Sequence, residues 1–250
     1  MLYYIADYLQ RCCDVPGAGV FQYISFRTAA AVIVSLLISL VFGKRWIKYL
    51  NKKQVGETIR DLGLEGQLAK QGTPTMGGLI ILASILIPTL LFAKLDNIYI
   101  LLMIFTIVWL GLTGFTDDYI KVFRKNKKGL SGKYKILAQV ILGIVVGATM
   151  YFSDEVVIRE KTIKYQPSTE QEILNNPAGN FSNDAVKSTK TTIPFVKNNE
   201  FDYAVLLKWL GTGYEKYAFL IFIPLVIFII TSVSNGANLT DGIDGLAIWT

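Results

Sequence analysis

The chain has 250 residues, 52% of them hydrophobic and 18% charged, with no histidine, a net charge of +6 and a mean hydropathy of +0.42. A soluble chain carries about 25% charged residues, and its apolar residues recur periodically, whereas here they stand in blocks. That excludes a soluble globular domain, and the basic balance needs no nucleic acid, because basic loops are what membrane topology demands.

The N-terminus does not read as a cleaved signal peptide. Its first long apolar run starts late, follows "DVPGAGVFQY", and ends in "GKRWIKYLNKK" instead of a small-residue cleavage site. Cys12 and Cys13 are adjacent, which disfavours a bridge between them, and they lack metal-binding spacing. Apolar runs then lie at 26–43, 76–93, 98–116, 136–152 and 217–234, none with a charge in its interior. Each is close to the roughly 17–25 residues that a helix needs to cross a bilayer. The expected fold is therefore an all-α polytopic helical bundle. It divides into 1–152 with four spans, an outer insert at 153–216, and 217–250 with the fifth span and a polar motif.

The loops set the orientation. Lys44, Arg45, Lys48, Lys52, Lys53, Arg60 and Lys70 follow the first run, and Lys121, Arg124, Lys125, Lys127, Lys128, Lys133 and Lys135 follow the third. By the positive-inside rule both segments are cytoplasmic and the N-terminus is outside. The outer insert is nearly neutral, and Val156, Val157, Ile158, Ile163, Ile193, Phe195 and Val196 between turn residues suggest short strands there.

Three polar stretches fall on the cytoplasmic side in this topology. "AKQGTPTMGGLIIL" opens the second run, where Thr73, Thr75, Gly77 and Gly78 offer hydroxyls and bare amides at a helix start, with Lys70 upstream. The neighbouring glycines suggest close backbone approach, but the P-loop spacing is missing. In "GLTGFTDDYIKVFRKNKKGLSGKYK", a helix continuing past the third run would place Asp117, Lys121 and Lys125 on one face, with Asp118 about 100° away. Such a face is either an ordinary ion-paired helix end or a carboxylate beside ammonium groups suited to Mg²⁺ and a diphosphate. "SNGANLTDGIDGLAIWT" then spaces Asn238, Asp241 and Asp244 at intervals of three, with Gly242 and Gly245 leaving room for a ligand. Turns also use Asp and Gly, yet the four carboxylates Asp117, Asp118, Asp241 and Asp244 share one membrane face in this reading. An all-oxygen donor set without His or Cys fits Mg²⁺, with Mn²⁺ as substitute.

"TPTMGG", "DDYIK" with "KKGLSGKYK", "NLTDGIDGLA" and the span entry "FQYISFRTAAA" together resemble the phospho-N-acetylmuramoyl-pentapeptide transferases. These are a branch of the polyprenyl-phosphate N-acetylhexosamine-1-phosphate transferases. Order and spacing match over nearly the whole chain, apart from the outer insert. "TPTMGG" and the "GLS…K" stretch favour this branch over those acting on N-acetylglucosamine. The resemblance implies a sugar-1-phosphate transferase of peptidoglycan synthesis in the bacterial cytoplasmic membrane. It would pass phospho-N-acetylmuramoyl-pentapeptide from UDP-MurNAc-pentapeptide to undecaprenyl phosphate with Mg²⁺, giving lipid I and UMP; a homodimer is a further expectation.

Carried onto this chain, the resemblance makes Asp117, Asp118 and Asp244 catalytic. Lys70, Thr75, Lys121, Lys125, Lys133, Asn238, Asp241 and Gly242 would bind substrate, and Asp117, Asp118 and Asn238 are metal-ligand candidates. The family fold has about ten spans of roughly 20 residues each. The chain shows five, with no counterpart of the family's later FxGDxGS aspartate or histidine-rich loop. The expectation is of an N-terminal part of the enzyme that inserts but has little or no transferase activity alone. Another UDP-sugar is the nearest alternative. A cation-coupled transporter would place its carboxylates near the bilayer midplane, and a scaffold would not need three glycine-and-carboxylate motifs on one face.

Overall fold

Each apolar run forms a helix, because backbone N–H and C=O groups in hydrocarbon must be satisfied within the segment itself. The computed structural model describes residues 1–52, 76–124, 129–161, 181–192, 200–211 and 213–241. They fall into two compact units, Met1–Ala138 and Gln139–Thr250.

In the first unit α1 (Leu2–Cys13) and a 3-10 turn (Ala18–Gln22) lead into α2 (Ile24–Lys52). At 29 residues and 1.5 Å per residue, α2 is about 43 Å long, well over the roughly 30 Å hydrocarbon core. Lys44, Arg45, Lys48 and Lys52, expected in a loop, therefore ride on a helical extension of the span. α3 (Gly78–Phe92) packs against α2, and α4 (Ile98–Phe123) against α3. Asn97 caps α4 by accepting from the Tyr99 N–H at 2.9 Å. α3–α4 contact is tight at Gly111, where a Cβ would sit 2.8 Å from Leu82 Cδ1.

Among the described residues four helices, α2, α4, α5 (Gly132–Phe152) and α6 (Phe219–Asp241), are long and apolar enough to cross a membrane. The second run differs from expectation. Its helix, α3, has only 15 residues, about 22 Å, because residues 76 and 77 lie outside the helix and Ala93 closes it in an extended conformation.

α1 was not anticipated. It is tied down by the N-terminal ammonium, which donates to the Leu90 carbonyl at 2.8 Å, and by the Asp96 N–H, which donates to the Tyr4 hydroxyl at 3.0 Å. The Arg27 guanidinium lies 4.8 Å from the centre of the Tyr3 ring.

In the second unit α5 and α6 meet along Gly143 and Gly147. A Cβ on Gly143 would lie 2.7 Å from Ile227 Cα, and one on Gly147 3.4 Å from Ile223 Cα. Small residues four apart let helix backbones approach, which is how membrane helices gain packing energy where lipid offers no hydrophobic driving force. Leu142 beside this seam is fully buried.

Between the two helices, β1 (Ile158–Lys161) pairs antiparallel with β2 (Phe181–Val186), and β3 (Lys190–Thr192) with β4 (Glu200–Asp202). The β content expected of this insert is present, and Ile158 begins β1. Val156 and Val157 precede the strand, and Ile163, Ile193, Phe195 and Val196 lie outside the described residues. Asp202 ends β4 and caps the following 3-10 helix (Tyr203–Leu210), accepting from the Ala204 N–H at 2.9 Å and the Thr189 hydroxyl at 2.7 Å.

Candidate active site

α4 continues past its apolar run because the polar residues there satisfy themselves against the helix. The Thr113 and Thr116 hydroxyls donate back to the Trp109 and Leu112 carbonyls at 2.9 and 2.7 Å. That carries Asp117 and Lys121 onto one face as the spacing predicts, and the pair closes at 2.8 Å between Lys121 Nζ and Asp117 Oδ2.

Asp117 holds more than this neighbour. Lys135 Nζ, from the second turn of α5, lies 3.1 Å from the same oxygen. The Leu130 N–H donates to Oδ1 at 2.7 Å. Both carboxylate oxygens are thus engaged, and the residue is 8% exposed.

Gly129 makes this geometry possible. Its φ of +65° turns the chain back, and an added Cβ would stand 2.5 Å from Asp117 Oδ1 and 2.7 Å from Lys121 Cε. No side chain fits between the loop and the carboxylate, and an L residue would resist that φ as well. Close approach is expected at Gly77 and Gly78; among the described residues nothing beyond their own local backbone and chain neighbours comes within 4 Å of a Cβ at either position.

The local charge is positive. Two ammonium groups face one carboxylate, and the lysines remain partly open to solvent, with side chains 43% exposed at Lys121 and 30% at Lys135. A carboxylate fixed between lysines holds them in place without cancelling their attraction for an anion, as a diphosphate site requires. Asp118 is half-buried in the same helix and Lys133 is exposed in the first turn of α5. Lys135, Gly129 and the Leu130 amide are the parts that sequence reasoning missed. The sequence marks a turn there, since Gly129-Leu-Ser-Gly separates the basic run from α5, but not the carboxylate to which the turn returns.

In the second unit, Asn238 is exposed on α6, and Asp241 is the last residue of that helix. The helix therefore gives Asn238 and Asp241 the three-residue spacing of one turn. Lys70, Thr75, Lys125, Gly242, Asp244 and the Asp241 side chain lie outside the described residues.

Among the described residues no group of three or more His, Cys, Asp or Glu side chains could by itself enclose a metal. A magnesium ion does not need one, because it commonly takes one or two carboxylates and completes its shell with substrate phosphate and water. Asp118 is a hard oxygen donor of the right kind. Asp117 is one as well, with both of its oxygens partnered here.

Comparison with known proteins adds three findings. The model of glycosyl transferase family 4 matches residues 98–250. A phospho-N-acetylmuramoyl-pentapeptide-transferase signature matches residues 70–82, which contain the "TPTMGG" stretch. Over its whole length the chain is 62% identical to a phospho-N-acetylmuramoyl-pentapeptide-transferase of Flavobacterium psychrophilum, covering 60% of that protein. It is also 54% identical to the one named for Parabacteroides distasonis, covering 58% of it. The chain thus spans about three-fifths of the length of these curated relatives.

Proposed function

The chain belongs to glycosyl transferase family 4, and from that premise we propose that it forms part of a membrane enzyme making lipid I. The donor is UDP-MurNAc-pentapeptide and the acceptor is undecaprenyl phosphate. An oxygen of the lipid phosphate attacks the β-phosphorus of the UDP-sugar. The bond from that phosphorus to the bridging oxygen of UMP breaks, and UMP leaves with the electron pair. The observation that carries this reading is Asp117 held between Lys121 and Lys135 near the C-terminal end of a membrane span.

Two phosphates must approach at a membrane surface, so their charges need screening by fixed cations. Lys121 and Lys135 supply that, with Lys70, Lys125 and Lys133 as further candidates. Asp117 keeps the two lysines and the Leu130 loop in place. Asp118 is the proposed magnesium ligand, with Asn238 as a second candidate; the ion, when bound, would supply Lewis-acid stabilisation of the transferring phosphoryl group. A lipid phosphate monoester has a second pKa near 6, so at neutral pH its attacking oxygen needs little help from a base. We place the reaction on the cytoplasmic face, supported by the basic residues around Asp117 and the positive-inside rule.

A cation transporter is disfavoured because Asp117 stands six residues from the end of α4, near Phe123, and not at its midpoint. The experiment is to incubate the purified gene product that carries this chain with undecaprenyl phosphate, Mg²⁺ and either UDP-MurNAc-pentapeptide or UDP-GlcNAc. UMP release with the first donor and none with the second is the expected result. Release with UDP-GlcNAc alone would move the assignment to another UDP-sugar.

A further inference from the structure

We infer that Gln139 is a positioning residue: through Ser234 and Asn235 it fixes the last turns of α6, the helix that carries Asn238 and Asp241. Its catalytic consequence rests on the transferase reading above; its structural part does not.

Gln139 is only 7% exposed, although it lies in a segment otherwise made of Ile, Leu, Ala and Val. Burying an amide is costly unless both of its ends find partners. Both do. Gln139 Nε2 donates to Ser234 Oγ at 3.0 Å, and Gln139 Oε1 accepts from Asn235 Nδ2 at 3.0 Å. Asn235 Nδ2 also donates to the Thr231 carbonyl within its own helix, at 2.9 Å. The two bonds between the helices run in opposite directions: α5 donates to α6 at Ser234 and accepts from α6 at Asn235.

The rest of the seam shows what this rung adds. Gln139, Gly143, Gly147 and Tyr151 stand four residues apart on one face of α5. Gly143 and Gly147 meet Ile227 and Ile223, and the Tyr151 ring meets Phe219 at 5.9 Å. Those rungs are apolar and close. Dispersion contacts of this kind say little about rotation of α6 about its own axis. A two-point amide contact is directional, so it fixes rotation as well as register.

The rung also stands where it matters. Asn238 follows Asn235 by three residues, less than one turn of helix, so a rotation or fraying at Asn235 passes directly to it. Gly236 and Asn238 are weak helix formers, and this end of α6 gains most from an external hold.

The test uses the full gene product in detergent. Gln139→Met keeps the length and apolar packing of the side chain and removes both hydrogen bonds. Amide hydrogen exchange over residues 234–241 is expected to speed up about ten-fold, while residues 219–230 stay as in wild type. UMP release per folded molecule is expected to fall about 10–100-fold, the range found when the partner of a site residue is removed. Gln139→Glu, which protonates when buried and keeps an acceptor toward Asn235, should recover most of the lost rate and protection. Combining Gln139→Met with Ser234→Ala should cost no more than Gln139→Met alone.

Unchanged exchange at 234–241 in Gln139→Met overturns the proposal. So does a rate loss matched by the loss of folded protein, or an additive double variant. A wild-type protein that releases no UMP would refute the transferase reading instead, and the exchange comparison would then decide alone whether Gln139 holds α6.

Discussion

Asp117 and Asp118 are neighbours in sequence, and the proposed mechanism divides the work between them. Asp117 has both oxygens engaged, by Lys121, Lys135 and the Leu130 amide. In the proposed division it organises cations, while Asp118 meets the metal. Asp118→Asn should then raise the Mg²⁺ concentration for half-maximal UMP release and lower the plateau. Asp117→Asn should lower the plateau by about 10²–10³-fold, the usual cost of losing one preorganised electrostatic contact, with the Mg²⁺ midpoint unchanged. A midpoint shift in Asp117→Asn and none in Asp118→Asn would reverse the assignment. The pair itself, and the i,i+4 partner Lys121, were legible in the sequence because helical spacing dictates them. Lys135 and Gly129 were not. Their role depends on a turn at positive φ that brings residues 130 and 135 back onto a carboxylate at 117, and no periodicity encodes that return.

At the level of elements, blocks of apolar residues located the start of each described long helix to within about four positions. The helix ends were less legible, since a helix need not stop where the bilayer does: α2 continues through four basic residues and α4 through its aspartate pair. α1 escaped notice because its 12 residues mix Tyr, Asp, Gln and Arg without an apolar block. The glycines of α5 carry a stability prediction. A Cβ at Gly143 would lie 2.7 Å from the Ile227 backbone, so Gly143→Ala must push α5 and α6 apart, at a cost of about 1–3 kcal/mol. No described atom lies within 4 Å of a Cβ at Gly114, also within a helix, and there Gly→Ala should be neutral or stabilising by up to about 1 kcal/mol. Thermal denaturation in detergent should show a lowered midpoint for the first variant and not for the second. Equal midpoints would mean that the seam is not as tight as described.

For the whole molecule, orientation is the property that loop charge predicts and helix packing does not. Cys12 and Cys13 are exposed and close α1, on the side that the positive-inside rule places outside. In intact cells an impermeant thiol reagent should label them. With both replaced by Ser, Lys48→Cys at the other end of α2 should stay unlabelled until the membrane is permeabilised. Labelling of Lys48→Cys alone in intact cells would invert the topology and put the lysines around Asp117 on the wrong side for a cytoplasmic donor. In the proposed reaction phosphate travels with the sugar, so the β-phosphorus of the donor reports on the transfer. UDP-MurNAc-pentapeptide carrying ³²P in its β-phosphate is supplied to the gene product with undecaprenyl phosphate and Mg²⁺. The label is expected to move into the lipid-extractable product as unlabelled UMP appears; label remaining in released UDP would refute the transfer, because the sugar would then have left without its phosphate.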